Sequence, residues 1–256
     1  MRSKLTPIAA MAFALMAAPA MAQTGHVGVG YTSNDEGETD GFVVEGAAAF
    51  GLSNAIGMQV DGGVGFLDSY GDDFTGYELN GHLFYTAGAW RFGGLAGVAS
   101  GEYDGGGGND PATTHWGVEG QYTLDRVVLG GSAIWGDAEW ILSPDLEYNN
   151  YDFHGDFYAT ENFVIGANYG FGTLDNGVSS EADTSTYGVS GEWQLSSMPI
   201  SLVAGYQHWE IEQTGSVQSE TLSLGVRWNW GGSLQARDAA GFRHSPSGVI
   251  GSYVGF

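Results

Sequence analysis

From Ser219 to Trp230 the chain reads SETLSLGVRWNW, and taking every second residue divides it cleanly. Leu222, Leu224, Val226, Trp228 and Trp230 form one set; Ser219, Thr221, Ser223, Gly225, Arg227 and Asn229 form the other. A period of two marks a strand with one apolar and one polar face. In a soluble sandwich the apolar set would face a core. In a membrane barrel it would face lipid, and Arg227 would face a lumen. The same period recurs along the chain and predicts strands over 26–33, 41–52, 56–68, 76–88, 90–102, 114–124, 127–137, 151–160, 163–173, 184–195, 199–209 and 219–230. Such segments suit a tilted strand crossing a bilayer, which takes roughly 9–11 residues.

The connections between these twelve segments alternate in kind. Short ones (SNA near 53–55, GAW near 88–90, DR at 125–126, EN at 161–162, SSM at 196–198) are interleaved with longer, acidic ones. The longer class is SNDEGETD, SYGDDFT, DGGGGNDPAT, AEWILSPDLEYNN, LDNGVSSEAD and EIEQTGSVQ. An up-and-down meander with tight turns at one end and loops at the other produces this order, as in outer-membrane barrels.

The two faces decide which way the strands point. The apolar sets place aromatics at both ends and small or aliphatic residues between, as in Phe42 to Phe50, Trp116 to Tyr122 and Tyr187 to Trp193. Two rings of aromatics a strand length apart are the girdles of a lipid-facing wall. Under the assigned strand directions Trp90, Trp193, Trp228 and Trp230 belong to the periplasmic girdle, and Phe42, Tyr77, Trp116 and Trp135 to the outer one. The opposite faces carry Glu45, Asp61, Glu78, His82, Arg91, His115, Glu119, Asp152, His154, Asp156, Glu192 and Arg227, interspersed with glycine. Apolar outside and polar inside is the inverse of a soluble barrel. The fold class is therefore all-β: a transmembrane antiparallel up-and-down barrel of about twelve strands.

The ends set the compartment. Residues 1–22 carry Arg2 and Lys4, an apolar run from Ile8 to Ala18 and an Ala20-Met21-Ala22 cleavage site. That is the pattern of a secretory signal peptide cleaved after Ala22. Residues 23–230 are then the barrel and 231–256 a C-terminal periplasmic tail. The chain has no cysteine, which excludes a disulfide framework and a lipidated cysteine. Beyond the signal its only certain cations are Arg91, Arg126, Arg227, Arg237 and Arg243, against 30 acidic residues, so a nucleic-acid partner is excluded by repulsion.

The chain resembles bacterial outer-membrane β-barrels of the porin-like kind over about residues 25–230. Ser223-x-Gly225-x-x-Trp228-x-Trp230 is similar to the terminal-strand signal read by the barrel-assembly machinery, although here 26 residues follow it. Phe256, itself a terminal aromatic, makes SGVIGSYVGF a competing last strand with a less clean apolar face. The resemblance implies residence in the outer membrane of a Gram-negative bacterium, contact with membrane lipids and lipopolysaccharide, and passive diffusion of small solutes through the lumen.

Motifs for catalysis are absent: there is no G-x-S-x-G, no H-E-x-x-H and no Walker lysine. No enzyme, cofactor or metal is expected. Asp152-Phe-His154-Gly-Asp156 places two carboxylates and an imidazole on one inward face, beside the lumen groups His26, His82 and His115. It reads as ordinary polar lining, with a metal site, or an acid/base group of an outer-membrane lipid hydrolase, as alternatives. NDEGETD reads as a solvated charge run rather than a calcium loop. Glu45, Asp61, Glu78, Glu119, Asp152, Asp156 and Glu192 outnumber Arg91 and Arg227, so a pore would prefer cations. The glycine-rich lumen face argues for free space in a barrel of intermediate girth. A closed barrel acting through its acidic loops is the rival reading. The tail is read as free or loosely docked, since Gly, Ser and Pro246 favour an unanchored terminus. The alternative is a plug, drawn in because Arg237 and Arg243 lie beside an acidic lumen.

Overall fold

A computed structural model of the chain describes residues 23–34, 39–69, 72–103, 112–140, 143–175, 177, 181–213 and 215–244. Residues 1–22, read from the sequence as a signal peptide, residues 35–38 of the acidic run after the first strand, the DGGGGND segment and the terminal stretch with Phe256 lie outside the described residues.

Twelve strands form one closed antiparallel barrel in which each strand pairs with its neighbours in sequence. They are β1 (Thr24–Asn34), β2 (Thr39–Gly51), β3 (Ile56–Ser69), β4 (Asp72–Ala87), β5 (Trp90–Tyr103), β6 (Ala112–Leu124), β7 (Val127–Trp140), β8 (Ser143–Thr160), β9 (Phe163–Asp175), β10 (Ala182–Gln194), β11 (Ile200–Glu212) and β12 (Ser216–Trp230). β1 closes on β12 in a register running from Gly25↔Trp230 to Asn34↔Thr221. Closure leaves no sheet edge, so the backbone is satisfied within the wall.

At the end where β1 begins and β12 ends, the turns are tight. Ala87 pairs with Trp90 and Leu124 with Val127, leaving two-residue turns. The first turn residue has positive φ in each, 63° at Gly88 and 44° at Asp125. Twisted hairpins need this geometry, and Gly and Asp adopt it at least cost.

The opposite end departs from the sequence expectation. AEWILSPDLEYNN is not a long loop: β7 runs to Trp140 and β8 starts at Ser143, so strand pairing continues through most of it. β3 and β4 likewise pair out to Ser69↔Asp72. Acidic and polar residues that alternate beyond a lipid-sized span can still ladder, because water satisfies both faces there.

The predicted faces hold. Phe42, Trp116, Trp90, Trp193, Trp228 and the aliphatic belt including Leu222, Leu224 and Val226 are exposed on the outer surface. Aromatics stack along that surface. Trp90 packs on Tyr122 at 4.3 Å and on Phe92 at 5.6 Å near the tight-turn end. Trp116 packs on Trp135 at 5.1 Å nearer the other. Trp230, half-buried, lies on the outer face over Gly25.

Lipid exposure of this face predicts the effect of a charge on it. Leu224 lies mid-strand and 67% exposed. Leu224→Arg is expected to cost about 2–4 kcal/mol, as for an arginine at the bilayer midplane. Lumen-facing Ser223→Arg should cost less. Urea unfolding of the two variants in lipid vesicles measures the difference, and equal costs would contradict an outward Leu224.

Candidate functional site

The lumen is where polar side chains converge, and the C-terminal segment enters it. Past Trp230 the chain reverses through Gly231 (φ 96°) and Gly232 (φ 125°). A Cβ at Gly231 would also run into Gln23 and Thr24 of the first strand's start, so glycine is required there for space as well as for conformation. A single-turn helix α1 (Leu234–Asp238) follows, with the Ser233 hydroxyl accepting from the Ala236 N–H as N-cap. It sits across the tight-turn mouth. The Gln235 side chain donates to the Asp125 carbonyl at 2.5 Å, and its backbone N–H to that of Glu161 at 3.0 Å. Leu234 is fully buried against Val128, Tyr158 and Val164, which line that mouth from inside. Burying such a side chain contributes about 1.5–3 kcal/mol. The tail therefore neither hangs free nor docks loosely: through His244 it occupies the lumen. The favoured expectation is corrected by the charge and apolar contacts that close around it.

Four of the five arginines beyond residue 22 share this interior. Arg227 of β12 grips Glu45 of β2 with two bonds, at 2.5 and 2.9 Å, and reaches Glu192 of β10 at 2.8 Å. From the tail, Arg237 also takes Glu192, at 2.9 and 3.0 Å, and binds Asp238 at 2.7 Å. Arg243 binds Asp238 at 2.6 Å and Asp156 of β8 at 3.0 Å. Tyr158 donates to Asp238 at 2.6 Å. Burial alone would raise the Asp238 carboxyl, but Arg237 and Arg243 bring it down to about 2. Arg91 of β5 donates to the carbonyls of Ala239, at 2.6 Å, and Gly241, and lies over the rings of Phe84 and Phe242.

A second cluster lies beyond. His82 sits between Asp61 and Glu119, 2.8 Å from each. Asn80 donates to Glu78 at 2.9 Å and to Asp61 at 3.3 Å, and His115 meets the Asn80 carbonyl oxygen at 2.8 Å. Gln59 donates to Asp61 and to the Phe242 carbonyl, and accepts from the Phe242 N–H. Asp152 is 3.7 Å from His154, whose ring packs on His244.

All twelve lumen residues anticipated from the sequence face inward, but as paired networks rather than a ring of free acids. Ser223 and Gly225 also face inward on β12, with Trp228 and Trp230 outward, along the seam with β1. Two expectations change. At Gly28 and Gly93 the lumen glycines do not leave open space, whereas Gly30, Gly205 and Gly225 border the cavity described below. A Cβ at Gly28 would meet Arg227 and Glu45 at 2.9–3.0 Å, and one at Gly93 would meet Glu119 and Phe242 at the same distances. They make room for long side chains of neighbouring strands. The lumen also holds apolar groups that the polar alternation hides: Leu95, Ile134, Ala138 and Tyr148 form a buried cluster. Parity could have found Leu95, four residues beyond inward Arg91.

A cavity of about 270 Å³ stays open, bordered by residues of β1, β2 and β8–β12, with Arg243 and His244 on its wall. Asn150, Asn168, Thr186, Ser190, Gln207 and Thr221 supply amides and hydroxyls around it.

No family model and no curated protein matches the chain. Solved structures do. The translocator domain of the autotransporter NalP from Neisseria meningitidis has a TM-score of 0.51 and 10% identity, covering 89% of this chain and 98% of its own. The KdgM porin also has a TM-score of 0.51 and 10% identity, covering 80% of this chain and 99% of its own. The chain has the fold of bacterial outer-membrane β-barrels.

Two outcomes test the docked tail. The chain has no cysteine, so a spin label on Ala236→Cys, exposed on α1, reports docking by its mobility. Glu192→Ala removes the acid that Arg227 and Arg237 share, leaving Glu45 to the one and Asp238 to the other, and is expected to weaken docking by about 1.5–3 kcal/mol. The label should become mobile, whereas Asp137→Ala on the outer face should change nothing. Acid should act similarly. The docked Asp238 carboxyl lies below its ordinary 3.8. Its stabilisation is therefore complete above that value and lost as pH falls through about 2. An immobile label at pH 5 and a mobile one at pH 2 are expected.

Proposed function

We propose that this barrel resides in the outer membrane, exported by a signal peptide cleaved after Ala22, and is a channel for small hydrophilic solutes that its own C-terminal segment holds shut. The observation that carries this reading is the division of the lumen. The wall is polar, and one mouth is filled by residues 233–244, which follow the last strand and are not part of the wall. The cavity of about 270 Å³ lies on the other side of that segment. A wall whose inward side chains filled the barrel by themselves would leave no room for residues 233–244. Withdrawal of the tail would open that volume through the barrel.

In this reading the tight-turn end faces the periplasm and the longer connections face outward, where they meet lipopolysaccharide. Ser223, Gly225, Trp228 and Trp230 serve the assembly machinery. Small solutes are its cargo, with no cofactor and no nucleic acid. Cation preference follows from the excess of lumen acids over Arg91 and Arg227. The tail takes two arginines and one aspartate with it when it leaves, so the excess remains. Among the similar structures is the KdgM porin in complex with disordered oligogalacturonate. For the present barrel, the amides and hydroxyls around the cavity support small hydrophilic cargo without naming it.

The rival is a permanently closed barrel that acts through its acidic connections. It is favoured by the Leu95–Ile134–Tyr148 cluster, which narrows the lumen independently of the tail. A hydrolase would need a nucleophile within hydrogen-bond reach of His115 or His154; we read the protein as a channel and not an enzyme.

Planar-bilayer conductance separates the two. Truncation after Gly232 is expected to assemble and to conduct more than the full chain. Its reversal potential in a salt gradient should show cation preference, reduced by Glu78→Gln with Asp152→Asn. A folded truncated barrel without conductance would leave the closed reading.

A further inference from the structure

Where the tail meets the wall, side chains of metal-binding type converge. His154 and Asp156 lie two apart on β8 and face the lumen, and His244 reaches them from the tail. One ligand atom of each lies within 4.8 Å of the others. His244 Nε2 is 3.1 Å from both Asp156 oxygens, and the two imidazole rings lie 4.4 Å apart. The His154 side chain is only 6% exposed. Its Nε2 is sealed from solvent with no hydrogen-bond partner among the described residues. Burying such an atom unpaired is costly, and coordination of a cation removes the cost.

The surrounding charge points the same way. Glu45, Asp156, Glu192 and Asp238 are linked to Arg227, Arg237 and Arg243 in one network with an acid in excess. Asp152, 3.7 Å from His154 Nδ1, adds a second negative charge. Arg243 approaches Asp156 at Oδ1 and leaves Oδ2 toward His244.

We infer that His154, Asp156 and His244 form a binding site for a divalent transition-metal cation of the zinc type, which staples the tail to the barrel wall. Two imidazoles and a carboxylate with a further position free are a donor set for such ions. Hard cations such as calcium need six or more oxygens. Asp152 and His244 both border the cavity, so a fourth ligand comes from Asp152 or from water. Ligands at about 2.1 Å in a tetrahedron stand roughly 3.4 Å apart. His244, 29% exposed at the end of the described tail, can close that gap. The site stands whether or not the lumen conducts.

Full-length protein in detergent micelles, stripped with chelator, is titrated with Co²⁺ and then Zn²⁺. One Co²⁺ per chain should give the visible absorption of a nitrogen–oxygen site of low coordination number, and one Zn²⁺ should displace it. His244→Ala and His154→Gln should each weaken Zn²⁺ binding by at least the roughly 10–100-fold that loss of an outer partner alone costs. His208→Ala, an imidazole on the outer face, should leave it unchanged. Heat-modifiable migration on a gel confirms that each variant is folded. Should His154→Gln not fold, His244→Ala and truncation after Gly232 give the same reading, because neither alters the wall. Absence of saturable Co²⁺ binding would overturn the site. So would binding of unchanged affinity in the His244 variant and the truncation, which would move the metal to the acidic connections.

Discussion

Lipid offers no hydrogen-bond partner to a backbone, and this constraint governs the whole molecule. It is met at one seam, where β1 pairs with β12 from Gly25↔Trp230 to Asn34↔Thr221. With that seam closed, the backbone polar groups of the strands are spent in the wall and side chains alone decide what each surface meets. A slip of one residue there would turn Leu222, Leu224 and Val226 inward and Arg227 into lipid. The alternation of apolar and polar residues therefore specifies the register as well as the strand.

Closure creates an interior with its own problem. Charged groups taken from water need partners, and the wall alone supplies few cations. Glu192 shows the solution. It is almost fully buried and is shared by Arg227 from the neighbourhood of the seam and Arg237 from the tail. Asp156 depends on Arg243 in the same way. Residues 231–244 thus complete the charge pairing of the wall. A buried pair of this kind adds little net stability, yet is costly to break from one side. That asymmetry gives the tail a defined seat.

The lumen also explains the abundance of inward glycine. Gly28 and Gly93 face long polar side chains of adjacent strands, and their missing Cβ atoms are the space those side chains use. Polar networks and apolar clusters then share a cross-section between that of the small filled barrels and that of the wide aqueous ones. The proposed closed channel and the proposed metal staple both arise at this boundary, where tail and wall meet around His154, Asp156 and His244.

The strand number, the outward aromatic belts and the inward identity of Glu45, His82 and Arg227 were all legible in the sequence, because each follows from a local period of two. The extension of β7 and β8 beyond the lipid span was not, since polar alternation reads as a loop until a partner strand is seen to continue it. The partners of the lumen acids were not legible either. Glu45 with Arg227, His82 with Asp61 and Glu119, and Glu192 with Arg237 are distant in sequence or on non-neighbouring strands, and only the curvature of the closed sheet brings them together. The seat of the tail belongs to the same class. Gly231, Gly232, Arg237 and Arg243 are compatible with a free terminus. What draws them inward is a buried negative charge that exists only once the barrel has closed.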